Sequence, residues 1–99
     1  MTEDKDEMMK ELEELMASVS GNDVGQKRFQ MFEVLRFVVQ KQYEFSDREL
    51  PAVENRIEEL KDLNGYMYKL VQEFLTSSST LEKERNLEKI TDHFKTGLN

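Results

Sequence analysis

Between residues 50 and 74 the positions Leu50, Val53, Ile57, Leu60, Asn64, Met67, Val71 and Phe74 follow one another in steps of three and four without a slip. That spacing gathers them on one side of an α-helix, whereas strand alternation would send them to both faces of a sheet. A chain with such a segment must supply further helices to cover the stripe. In heptad terms Leu50, Ile57, Asn64 and Val71 take the a positions, and Val53, Leu60, Met67 and Phe74 the d positions. Leu63, Tyr68, Leu70 and Leu75 widen the seam, so a bundle is expected rather than a bare coiled-coil zipper. Asn64 is the one polar residue in this series. Coiled coils use a lone Asn there to fix register, and on that reading Asn64→Leu raises stability and loosens specificity. Asn64-Gly65 also carries helix-stop chemistry. That chemistry would end one helix at about 63 and start a second over 66–76; the unbroken phase across the dipeptide favours the other reading, one continuous helix over 50–75.

The preceding segment is more apolar still. Phe29, Met31, Phe32, Val34, Leu35, Phe37, Val38, Val39, Tyr43 and Phe45 cover well over half of a helix circumference. A helix apolar most of the way round is enclosed by other helices or by a partner. Asp23 with Gln26 forms a capping box at its start, and Ser46 with Glu49 forms a second box. Pro51 is tolerated only in a first turn. One helix is therefore predicted over 23–46 and the next to begin between 46 and 51, a link short enough to make an antiparallel hairpin. Residues 76–79 read as a linker. Ser79 and Glu82 open a last helix over 80–96, with Leu87, Ile90 and Phe94 as its stripe and Gly97 as its stop.

At the N-terminus, Met8, Leu12, Leu15, Met16 and Val19 form a weaker stripe, capped by Asp4 with Glu7 and stopped by Ser20-Gly21-Asn22. The 99 residues carry a net charge of −7. Residues 2–14 alone contribute −5 of it, through seven carboxylates against Lys5 and Lys10. The acidity thus belongs to a first helix or arm, residues 1–20, and the body is nearly balanced. The expected fold is all-α: a single helical domain, a small bundle of three to four helices built on the hairpin of 23–46 and 50–75.

Several function classes fall away on composition. No Cys is present, which removes disulfides, thiolate zinc sites and a thiol nucleophile. Apolar runs never exceed three residues, so no membrane-spanning helix is expected. The acidic start is unlike a targeting segment, and a cytoplasmic location is expected. Lys27, Arg28, Arg36, Lys41 and Arg48 do not line up on one helical stripe, which with the negative total argues against nucleic acid. His93 is the only imidazole. No second His, phosphate-binding loop or metal-ligand spacing accompanies it, and a structural place near a helix C-terminus accounts for it. No catalytic residue, cofactor, metal or small-molecule substrate is expected, and the chain is read as not an enzyme.

What remains is protein binding. The apolar face of the 23–46 helix is wider than three short neighbours can cover, and Met beside Phe makes adaptable grooves. The chain is expected to act as an adaptor or chaperone-like subunit that holds a protein partner, pairs with itself, or both. Phe29, Phe32, Phe37 and Tyr43 would form the hydrophobic surface. Leu60, Asn64 and Met67 would set the seam. An alternative is an inhibitor or immunity-type protein whose acidic arm occupies a basic cleft, with binding that weakens steeply in salt.

Overall fold

The computed structural model describes residues 5–98, with backbone alone at 98, and Asp4 of the first capping pair lies outside that range. The described chain is helical with no strand. Five helices follow in order: α1 Lys5–Ser18, α2 Val24–Phe45, α3 Val53–Leu63, α4 Gly65–Thr76 and α5 Thr80–Leu98.

The two helix starts expected from capping pairs at 23 and 79 form as read. The Asp23 carboxylate accepts from the Gln26 amide at 2.9 Å, and the Ser79 hydroxyl accepts from the Glu82 amide at 3.1 Å. Gly21, just after α1, takes φ +99°, a left-handed conformation that costs glycine little and other residues much. The chain can then double back, laying α1 along α2.

Ser46-Asp47-Arg48-Glu49 does not cap a following helix. It closes α2. The Arg48 amide donates to the Tyr43 carbonyl at 2.9 Å and the Asp47 amide to the Glu44 carbonyl at 3.0 Å, with Asp47 left-handed at φ 57°. This is a Schellman motif with Asp in the place usually held by Gly. Its hydrogen bonds occupy the backbone that a new N-terminus would need. The next helix therefore waits until Val53, two residues past Pro51, and Ala52 at its cap makes no side-chain bond.

The continuous helix over 50–75 is replaced by two. Asn64 is extended, at φ −156° and ψ 94°, and serves both sides of the break. Its amide donates to the Leu60 carbonyl at 2.8 Å to end α3, while its side-chain Oδ1 accepts from the Met67 amide at 3.1 Å to start α4. One extended residue leaves the count between apolar positions unchanged, so the 3–4 spacing runs on while the helix axis does not. The bundle accordingly has five helices rather than three or four. Leu60, Met67, Val71 and Phe74 reach the core, but Val53 at the far end of α3 is 74% exposed and Ile57 half-buried.

The core draws Met8 and Leu12 from α1, six residues from α2 (Met31, Val34, Leu35, Val38, Val39 and Tyr43), Leu60 from α3, Met67, Leu70, Val71 and Phe74 from α4, and Leu87, Ile90 and Phe94 from α5. α5 packs against both α2 and α4, and α1 lies on α2. α2 and α3, the expected hairpin spine, touch only sparsely. Gly97 lies inside α5 instead of ending it.

Lys83 is buried within this packing. Its ammonium sits 4.9 Å from the Phe74 ring centroid and 5.6 Å from that of Phe32, and donates to the Phe74 carbonyl at 2.8 Å. A cation is thus held against the carbonyl end of α4 and two aromatic faces, both favourable to positive charge. Burial, reinforced by the neighbouring Arg28 guanidinium, pushes its pKa below the usual lysine value.

Candidate protein-binding face

α2 buries one side and leaves the other open. Gly25, Phe29, Phe32, Arg36 and Gln40 are all exposed and fall on one stripe, with half-buried Glu33 beside it. Phe29 is 61% exposed and Phe32 42%. Phe32 keeps one edge in the core, meeting the Phe74 ring edge-to-face at 5.4 Å. Aromatic rings this exposed occur singly on many surfaces; grouped beside further apolar side chains they form a contiguous patch, which is less common on a monomer.

The further apolar side chains are there. Because α2 and α3 meet so sparsely, a groove of about 440 Å³ opens between them. Phe32, Leu35 and Val39 form its α2 wall, Val53 and Ile57 its α3 wall, and Leu75 closes it from the end of α4. Arg36 and Arg56 stand among these residues. Arg36 pairs with Glu33 at 3.3 Å, a surface pair three residues apart that holds the guanidinium only weakly. Arg56 turns inward, donating through Nε and Nη2 to the Pro51 carbonyl at 3.1 and 3.0 Å. Such a site can take apolar side chains and meet polar groups at its edge; it holds no acid–base pair.

The residues expected to bind a partner are divided by the structure. Phe29 and Phe32 lie on the open face. Phe37 is half-buried beneath Lys41, whose ammonium stands 5.5 Å over its ring. Tyr43, Leu60 and Met67 are core residues, at most 2% exposed. Tyr43 is held by its hydroxyl, which donates to the Arg56 carbonyl at 2.8 Å and so joins α2 to α3. Burial first, then the nearby Glu59 carboxylate, pushes its phenol above the ordinary value. Asn64 is half-buried and occupied as a double cap. Sequence reasoning missed Arg36, Val53, Arg56 and Leu75. The signal for Arg36 was its place seven residues after Phe29; for Val53 and Leu75 nothing in a heptad series distinguishes an exposed end from a buried middle.

A second, more polar cleft lies by the C-terminal end of α2, where Ser46, Asn64 and His93 share a lining with Gln42, Phe45 and Phe94. His93 Nε2 lies 3.3 Å from Asn64 Nδ2, and its ring meets Tyr66 edge-to-face at 4.8 Å. Because Oδ1 of Asn64 is committed to the Met67 amide, the amide nitrogen faces His93 and donates to it. The imidazole therefore fastens α5 to the α3–α4 corner. Among the described residues no group of three His, Asp or Glu side chains could hold a metal ion, and no helix is long and apolar enough to cross a membrane.

The acidic segment, as far as it is described, is a packed helix. Met8 and Leu12 are fully buried against the core, while Asp6, Glu7, Glu11, Glu13 and Glu14 face outward. No family model, curated protein or solved structure matches the chain.

Proposed function

We propose that this protein is a non-enzymatic protein-binding module, an adaptor or chaperone-like subunit, that docks its partner on the open side of α2 and the adjoining α2–α3 groove. The observation that carries this reading is the grouping of three exposed apolar side chains, Phe32, Val53 and Leu75, around one groove, with exposed Phe29 one turn away on the same stripe of α2. Solvating that surface is unfavourable by roughly 25 cal/mol for each Å² of apolar area, and a protein partner removes the cost.

The test compares proteins retained from native extract by the wild-type chain and by the Phe29→Ser/Val53→Ser variant. Both positions are largely exposed, so the variant keeps its helical content by circular dichroism. The reading expects partners held by the wild type at high salt and lost by the variant. Retention that ignores the variant but collapses with salt contradicts it and favours recognition through the acidic face of α1.

A further inference from the structure

The open stripe of α2 is complementary to itself. Placed antiparallel to a second copy, with a two-fold axis passing between Phe32 and Glu33, it sets Phe29 opposite the partner subunit's Arg36, and Arg36 opposite the partner subunit's Phe29. Gly25, which presents no side chain, falls opposite the partner subunit's Gln40. The two Phe32 rings meet beside the axis on the groove side. Glu33 and Arg36, already paired within one chain at 3.3 Å, form a four-charge cluster with their symmetry mates on the opposite flank. Each guanidinium then has both an aromatic face and carboxylates within reach.

We infer that the occupant of this face is a second copy of the chain, joined through an antiparallel α2–α2 contact about Phe32 and Glu33. The inference rests on the protein-binding reading above and specifies its partner. Three observations favour a second copy over an unrelated partner. The stripe is locally neutral, one carboxylate to one guanidinium, although the chain carries −7. The acidic surface of α1 belongs to another helix, so the contact itself brings no row of carboxylates together. And the order of residues along the stripe, apolar then charged about a common centre, satisfies the demand of a two-fold interface that one surface be its own complement.

Charge reversal tests the pairing. In the Arg36→Glu variant four carboxylates would meet beside the axis, and in Glu33→Arg four guanidinium groups. Sedimentation equilibrium is expected to show the wild type self-associating, and each single variant weakened by at least about tenfold. An equimolar mixture of the two variants is expected to recover the wild-type association, now as a heterodimer visible by native mass spectrometry. The Arg36 side chain is 72% exposed and that of Glu33 40%, and circular dichroism is to check that each variant is folded. A wild type that remains monomeric at about 1 mM overturns the inference, as do variants that associate as the wild type does. A monomer whose captured partner is lost on Phe29→Ser/Val53→Ser removes the second copy alone; capture unchanged by that variant removes the protein-binding reading as well.

Discussion

The Tyr43 hydroxyl reaches across from α2 to donate a 2.8 Å hydrogen bond to the Arg56 carbonyl, inside a helix it otherwise touches little. Tyr43 is 2% exposed, so its removal leaves a shielded carbonyl without that donor. Tyr43→Phe is expected to cost about 1–2 kcal/mol. Urea denaturation should show a lower midpoint with an unchanged slope, because the surface exposed on unfolding stays the same.

Asn64 carries the clearest reversal of expectation. As a coiled-coil register residue, its replacement by Leu would stabilise. As the residue that ends α3 and caps α4, its replacement removes the Met67 amide's acceptor and the contact to His93. Asn64→Leu should therefore lower stability by about 1 kcal/mol, and Asn64→Asp, which keeps the capping oxygen, should lose less. Thermal melts of the two variants check the order.

That reversal shows what a residue series can convey. Most positions that face the core were legible: Leu60, Met67, Val71, Phe74, Leu87, Ile90 and Phe94 lie in it, while Val53 of the same series is exposed and Leu50 and Ile57 only partly buried. Caps with an oxygen at the right spacing, Asp23 and Ser79, were legible too. What failed was anything set by direction in space. Periodicity counts residues, so it passes unchanged through the extended Asn64. The Ser46–Glu49 pair has capping chemistry at either side of a turn, and only the Schellman hydrogen bonds show which helix it serves. Phe29 and Phe32 were legible as apolar excess; Tyr43, Leu60 and Met67 belong to the same apolar pattern but spend it on the core.

Stability in alkaline solution should carry two opposed contributions. The Lys83 pKa is lowered in the fold by burial and then by Arg28, so between that lowered value and 10.5 the unfolded chain holds the extra proton. Stability from this group therefore rises with pH across that window. The Tyr43 phenol is raised above 10.0, chiefly by burial, so its contribution is complete below pH 10 and is lost as pH rises through the folded value. Unfolding curves between pH 8 and about 11 should lose the rising component in Lys83→Met and the falling component in Tyr43→Phe.

α1 should tolerate loss of charge far better than loss of apolar bulk. Leu12 is fully buried, and Leu12→Ala is expected to cost about 2–5 kcal/mol. Glu13 and Glu14 are exposed, and Glu13→Gln/Glu14→Gln should change stability by no more than about 0.5 kcal/mol per site. Chemical denaturation of both variants tests this. It also shows that the charge-neutralised variant, rather than a deletion of the helix, is the sound probe of any acidic contact.

The central claim is that the open stripe of α2 is where this protein meets protein, with a second copy as its occupant. Two-dimensional amide NMR spectra recorded over a range of protein concentrations test it most directly. Concentration-dependent shifts confined to residues 25–40 and the groove positions Val53, Ile57 and Leu75 are predicted. Spectra that do not change with concentration, or shifts that map instead to the carboxylate face of α1, would contradict it.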